Sequence, residues 1–102
     1  MLARVARYEV GANSISDAAD AFGEAAQKIE DIDGFQGGYV LVDYEDGRTM
    51  TVTLWSNQAT LENSEAVARG LRNSAAEAVN GSVLSVEKFE VARELKPRGD
   101  GT

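Results

Sequence analysis

The sequence predicts an α+β fold in which strands and helices follow one another as β-α-β-β-α-β, the ferredoxin-like arrangement. Two stretches have apolar residues at helical spacing, a strand pair lies between them, and a single strand lies at each end. Right-handed crossovers place the first and third strands in the centre of a four-stranded antiparallel sheet, with both helices on one face. We expect this domain at residues 1–95 and a loose, flexible tail at 96–102.

The first strand and helix follow from apolar spacing. Leu2–Val10 is rich in apolar residues and predicts a strand. A short turn follows, after which Asn13 or Ser14 is expected to cap the first helix. Its apolar stripe continues to about Ile32 and comprises Ile15, Ala19, Phe22, Ala26 and Ile29.

A β-hairpin at Gly38–Trp55 is the strongest local signal, because its Asp46-Gly47 dipeptide favours a tight turn. The expected register pairs Tyr44 with Thr49 and Gly38 with Trp55. One face then carries Val40, Val42, Thr51 and Thr53, and the other carries Tyr39, Leu41, Met50, Val52 and Leu54. Neither face is plainly solvated, which predicts that the helices cover one face and a second copy of the chain covers the other.

The second helix is expected to begin after Ser56 as its N-cap and to stop at Asn80-Gly81. Its predicted buried stripe is Leu61, Ala68, Leu71, Ala75 and Ala78. Val83–Val91 predicts the last strand, at an edge of the sheet because it carries several charges.

Composition excludes several classes of function. The net charge is −7, which argues against partners such as nucleic acid or an anionic membrane surface. The chain has no cysteine and no histidine, so thiolate sites, the commonest metal ligand and the commonest general base are absent, and no metal site is expected. No stretch has the length of a membrane span or the apolar core of a signal peptide, so a cytoplasmic location is expected.

Trp55 and two threonines are candidates for a site on the helix-facing side of the hairpin. Trp55 is the one tryptophan of the chain, and it fits either a core anchor or the wall of a ligand pocket. Thr51 and Thr53 are either ordinary strand residues or the polar lining of that pocket.

Three arginines are the charged candidates. Arg4 and Arg7 lie on a central strand and point to opposite faces, so each needs a carboxylate partner or an anionic ligand. Glu87 and Glu90 on the last strand are available partners. Arg72 on the second helix either extends to solvent or leans over the sheet toward Trp55.

Short motifs along residues 2–92 resemble those of the antibiotic-biosynthesis-monooxygenase-like (ABM) family, in particular its small single-domain members. They are Gly34–Gly37, Asp43 and Gly47 in the hairpin, Thr53–Ser56 with Ala59 and Leu61, and Val86–Val91. The resemblance implies a homodimeric α/β barrel in which two sheets close on each other. It also implies a pocket between each sheet and its own helices, lined by Thr51, Thr53 and Trp55.

The resemblance implies a monooxygenase that oxidises a quinol or polycyclic phenol and requires no cofactor. The alternative is a non-catalytic homodimer that binds or senses a small aromatic or apolar molecule. The expected catalytic residues are Trp55 and Arg72, and the expected substrate-binding residues are Arg4, Tyr39, Tyr44, Thr51 and Thr53. Haem-degrading members use a helix histidine that this sequence lacks, so no specific haem complex is expected.

Overall fold

The computed structural model describes residues 1–98 and contains the six predicted elements in the predicted order. In chain order they are β1 (Leu2–Glu9), α1 (Ile15–Gln27), β2 (Phe35–Asp43), β3 (Arg48–Trp55), α2 (Gln58–Ala78) and β4 (Ser82–Glu90), with a short 3-10 helix at Ala12–Ser14. Residues 91–97 form neither helix nor strand. Of the predicted tail at 96–102, residues 99–102 lie outside the described part.

The sheet confirms the predicted fold class. Its strand order is β2-β3-β1-β4 and every pair is antiparallel, so β1 and β3 are central. Both helices pack on one face, where the main core cluster joins Ala6 and Tyr8 of β1 to Phe22 of α1 and Val79 after α2. A second cluster joins Ile29, Trp55 and Leu61 at the other end of the sheet.

The hairpin register differs from the prediction by two residues. Thr49 pairs with Val42, and Thr53 pairs with Gly38. An irregularity between Phe35 and Gly37 shifts the end of the strand by one more residue, so Trp55 pairs with Phe35. The turn occupies residues 44–47, because the Asp43 carboxylate accepts hydrogen bonds from the backbone N–H groups of Glu45 and Asp46. A shift of two preserves the alternation of side chains. The two faces of the hairpin are therefore composed as predicted.

Gly38 has a steric role in this register. A Cβ atom at this position would collide with the carbonyl oxygen of Val52 on the neighbouring strand. Gly38 lies opposite Thr53, and Phe35 occupies the position opposite Trp55 that the expected register gave to Gly38.

The cap predicted for α1 is correct in position, and the cap predicted for α2 was wrong by one residue. Ser14 precedes α1 without a side-chain capping bond, because the short 3-10 helix leads directly into it. Asn57, and not Ser56, caps α2, in a reciprocal capping box with Thr60. Helix α1 ends at Gln27, so Ile29 and Ile32 belong to the turns that follow it.

The sheet face turned away from the helices is uncovered in the single chain. We call it the outer face; its residues include Tyr39, Leu41, Met50, Val52, Leu54 and Phe89. Tyr39 is 67% exposed, Leu41 47% and Phe89 48%. Such a contiguous apolar surface is typical of an interface.

No helix within residues 1–98 is both long enough and apolar enough to cross a membrane.

Candidate functional site

A cavity of about 40 Å³ lies between the sheet and its two helices. Its polar lining comes mostly from the central strands, and its apolar lining comes from the helices and from the turn after α1. The polar members are Arg4, Tyr8, Thr51, Thr53 and Arg72, and the apolar members are Phe22, Ala25, Ala26, Ile29, Ala68 and Leu71. The cavity therefore combines a polar floor on the sheet with a mostly apolar cover, to which Arg72 of α2 adds a charge.

Arg4 and Arg72 enter this cavity as parts of an ion cluster centred on Glu65. Arg72 donates from Nη2 to Glu65 Oε2 at 2.7 Å, and Arg4 Nε lies 3.2 Å from Glu65 Oε1. Arg69, on the solvent side of the cluster, adds a third contact, with its Nε 3.4 Å from Glu65 Oε2. One carboxylate thus serves three guanidinium groups, which leaves an excess of positive charge beside the cavity.

Arg4 is almost completely buried, with 3% of its surface exposed. Its Nη2 donates to the Leu61 carbonyl at 2.7 Å and to Ser64 Oγ at 2.9 Å. Nη1 has no acceptor among residues 1–98, and Nε, although close to Glu65, is not directed at it. Arg4 therefore keeps buried donors that its neighbours do not satisfy.

The electrostatics of the cluster follow from burial and from the charge imbalance. Loss of solvation lowers the pKa of Arg4, as does Arg72, while Glu65 acts against this shift. For Glu65, burial raises the pKa, but Arg72, Arg4 and Arg69 together outweigh it, and the net shift is downward. The cluster accordingly favours the ionised form of Glu65.

Tyr8 and Thr51 supply a second polar pair. Tyr8 Oη and Thr51 Oγ1 are 3.0 Å apart, across the central strands β1 and β3. Burial raises the pKa of Tyr8, against the lowering effects of Thr51, Arg72 and Arg4. The phenol therefore stays protonated at neutral pH and acts as a hydrogen-bond donor or acceptor.

Trp55 is fully buried and does not line the cavity. Its indole N–H donates to Thr53 Oγ1 at 3.0 Å, and Phe35 packs edge-on against its ring. This geometry makes Trp55 a core anchor beneath the site, since its one polar group already has a partner.

The structure brings together four of the seven predicted site residues. Arg4, Thr51, Thr53 and Arg72 line the cavity, and their roles in binding stay predictions. Tyr39 and Tyr44 lie away from it, 67% and 61% exposed. Tyr39 points to the outer face because side chains alternate along β2, and Tyr44 lies in the turn.

Arg7 has the partner proposed from the sequence. Its Nε lies 3.3 Å from Glu87 Oε1 on the outer face, where both side chains are about half exposed. Arg4, by contrast, pairs with Glu65 of α2 and not with a glutamate of β4.

Sequence reasoning missed Tyr8 and Glu65. The even spacing of Arg4, Ala6 and Tyr8 on β1 was an available signal for Tyr8, because it puts them on one face. Glu65 lies one helical turn from Arg69 and two from Arg72, which makes an ion pair on α2 foreseeable but not its contact with Arg4.

The lining favours an anion over a cation. It contains two guanidinium groups and, among residues 1–98, no carboxylate. The same part of the chain holds no cluster of three or more acidic side chains arranged to bind a metal ion. The site offers hydrogen-bond donors and positive charge, which suit a ligand with an ionised oxygen.

The fold is that of the antibiotic biosynthesis monooxygenase-like proteins, as the sequence resemblance predicted. A proposed antibiotic biosynthesis monooxygenase from Deinococcus radiodurans superposes with a TM-score of 0.76 at 17% identity, over 97% of this chain and 100% of that one. SnoaB, a cofactor-independent oxygenase from Streptomyces nogalater, gives 0.74 at 15%, over 94% and 97%.

The heme-degrader MhuD from Mycobacterium tuberculosis, whose structure has two hemes in its active site, gives a TM-score of 0.70. Its identity is 21%, over 94% of this chain and 100% of that one. No family model matches the sequence, and no curated protein is similar enough in sequence to show a relationship. These similarities establish the fold, and the function has to be argued from the site.

Proposed function

We propose that the protein is a cofactor-independent monooxygenase that acts on a quinol or polycyclic phenol. The observation that carries this proposal is the mixed lining of the cavity, in which two guanidinium groups and three hydroxyl groups lie among apolar side chains. An ionised phenol has a matching combination, with a charged oxygen at one edge of an apolar ring. The cofactor-independent activity of SnoaB, which shares the fold, adds support.

In the proposed reaction the ionised substrate itself supplies the electrons to O₂. In its keto tautomer the substrate has a ring carbon that carries two hydrogens. One atom of O₂ becomes a carbonyl oxygen on that carbon. The second oxygen atom leaves with those two hydrogens as water. The protein's part is to stabilise the substrate anion through Arg4, Arg72 and the nearby hydroxyls, in a site that excludes water.

The size of the cavity adds a condition. A volume of 40 Å³ holds about three water molecules, whereas a cavity of about 150 Å³ holds benzene. The substrate therefore enters only when the apolar wall moves outward. Helix α1 supplies Phe22, Ala25 and Ala26 of that wall, and we propose that its outward movement enlarges the cavity.

Oxygen consumption with a panel of quinols and polycyclic phenols, without added metal or cofactor, tests the activity. Arg72→Gln should lower kcat/KM at least about tenfold, because it removes a charge from the wall that binds the anion. Arg69→Gln is the matched control, since Arg69 also contacts Glu65 but does not line the cavity. No uptake with any substrate, or equal losses in both variants, would contradict the proposal.

Non-catalytic binding of a small aromatic molecule is the second candidate, and the lack of a base favours it. The chain has no histidine, and no carboxylate lines the cavity within the described range 1–98. Calorimetric titration with the same phenols separates the two functions. Saturable binding without oxygen uptake supports a binding or sensing role.

The proposed functional unit is a homodimer. The outer face exposes Tyr39, Leu41 and Phe89, and a second copy is the occupant suggested by its apolar character. Burying such side chains contributes roughly 1.5–3 kcal/mol each, which is enough for a few of them to drive association.

A further inference from the structure

Tyr8 lines the cavity and carries a phenol hydroxyl. It lies on the central strand β1, is 3% exposed, and packs its ring against Phe22 with 4.2 Å between the ring centroids. The ring packing explains an aromatic residue there, but a phenylalanine would serve as well. The buried hydroxyl needs a separate explanation, since it carries a cost unless it is hydrogen-bonded.

The only partner of that hydroxyl within residues 1–98 is Thr51 Oγ1, at 3.0 Å. Each hydroxyl has one hydrogen to donate, and the pair shares a single hydrogen bond. Whichever oxygen donates, the other O–H has no acceptor in the described part of the chain. The pair therefore always presents one unused donor at the cavity that both residues line.

Other donors of the residues that line this cavity are also unused. Arg4 Nη1 is buried without an acceptor, and Thr53 Oγ1 accepts from Trp55, which leaves its own hydrogen available. No carboxylate lines the cavity in residues 1–98, and Glu65, the nearest counter-ion, is already shared among three arginines. The site has a surplus of donors, and a ligand that only accepts hydrogen bonds matches it.

We infer that Tyr8 donates the hydrogen bond that selects the ionised oxygen of the ligand, with Thr51 donating to Tyr8. The chain of donors then runs from Thr51 to Tyr8 to the ligand oxygen, and each bond strengthens the next. No proton leaves Tyr8, and burial, which raises its pKa, keeps the phenol protonated for this role. Arg4 and Arg72 face the same oxygen and supply positive charge.

This inference rests on the proposed function only in that the ligand is an ionised phenol, so it is tested by binding and not by turnover. The probe is 4-nitrophenol, and 4-nitrotoluene is a neutral analogue of similar shape. Calorimetry at pH values on both sides of the probe's own pKa gives the affinity for each ionisation state. Wild-type protein should bind ionised 4-nitrophenol more tightly than 4-nitrotoluene.

Tyr8→Phe keeps the ring against Phe22 and removes only the hydroxyl. It should weaken binding of the ionised probe about tenfold and change the affinity for 4-nitrotoluene less than about twofold. Thr51→Val should show a smaller loss with the same selectivity. Thr49→Val is the matched control, since Thr49 lies on the same strand face but does not line the cavity.

Circular dichroism melting of each variant shows that it is folded at the titration temperature. Equal binding of the ionised probe by Tyr8→Phe and wild type would overturn the role of Tyr8 while leaving the proposed function intact. A wild-type protein that prefers 4-nitrotoluene, or binds neither probe, would overturn both. If selective binding depends on Tyr8 but no oxygen is consumed, the result would support the hydrogen-bonding role of Tyr8 and contradict the proposed monooxygenase activity.

Discussion

The guanidinium group of Arg4 lies over the indole ring of Trp55, with 5.5 Å between Cζ and the ring centroid. The indole is fixed in turn by its hydrogen bond to Thr53, and a cation over an aromatic face is attracted to it. Trp55 is thus separated from the cavity by its neighbours and acts on the site by holding Arg4. A tryptophan in this position supports a binding group without needing to touch a ligand.

Replacing Trp55 with phenylalanine should lower the free energy of unfolding by about 2 kcal/mol. The smaller ring leaves a space in a fully buried position and removes the bond to Thr53. Urea denaturation followed by circular dichroism measures the change. Tyr44→Phe, at an exposed turn residue, should change it by less than about 0.5 kcal/mol, and equal effects of the two substitutions would refute a structural role for Trp55.

Glu65→Gln should lower the free energy of unfolding by about 2 kcal/mol at neutral pH. It removes the single carboxylate that neutralises the buried Arg4, and its own 32% exposure keeps the loss below that of a fully buried pair. Glu62→Gln is the control, because Glu62 accepts a hydrogen bond from Gln58 and is exposed. Equal melting temperatures for the two variants would show that the cluster contributes nothing.

The lowered pKa of Glu65 predicts that the stability of the fold depends on pH. The pKa of Glu65 is lowered in the folded protein from its ordinary value of 4.5, so the folded state holds this proton less tightly than the unfolded state. The stability contributed by the charged form is therefore present above about pH 4.5 and is lost as the pH falls through the lowered value. Acid titration of stability should be shallower in Glu65→Gln than in wild type.

The hairpin shows what the sequence can and cannot predict. Alternation of side chains predicts both faces correctly, because it depends only on the strand period. The register depends on the turn, and there Asp43 accepts from two backbone N–H groups and binds Arg48. That local network places the turn at residues 44–47 and so shifts β2 by two residues against β3. The Asp46-Gly47 dipeptide alone does not reveal this shift.

The site was predictable only in part for a related reason. Arg4, Thr51 and Thr53 share one sheet face by strand period, so their proximity follows from the register of central strands. The contact between Arg4 and Glu65 joins side chains 61 positions apart and depends on how α2 packs over β1. No local pattern encodes that packing.

Thr49→Val should raise the free energy of unfolding by about 1 kcal/mol. Thr49 is 3% exposed and its hydroxyl has no partner among the described residues, so an apolar side chain of the same shape removes a cost. Thr51→Val should have the opposite sign, because it leaves Tyr8 without its hydrogen bond. Thermal melts of both variants check the pair, and stabilisation by both would contradict this account.

The proposed homodimer predicts a mass of about twice 10.9 kDa by light scattering at micromolar concentration. Leu41→Glu should reduce the mass to that of a single chain, because it places a charge in the outer face. Val67→Glu changes an apolar residue of similar exposure on α2 and should leave the mass unchanged. A stable wild-type monomer, or dissociation in both variants, would contradict an interface on the outer face.

The burial of Trp55 also gives the molecule an intrinsic fluorescent reporter. The chain has one tryptophan, fully shielded from solvent and adjacent to the guanidinium of Arg4. Its emission therefore comes from a single environment, one residue away from the cavity wall. Displacement of Arg4 by a ligand, or exposure of the indole on unfolding, alters that emission without any label, and the two events can be followed in the same sample.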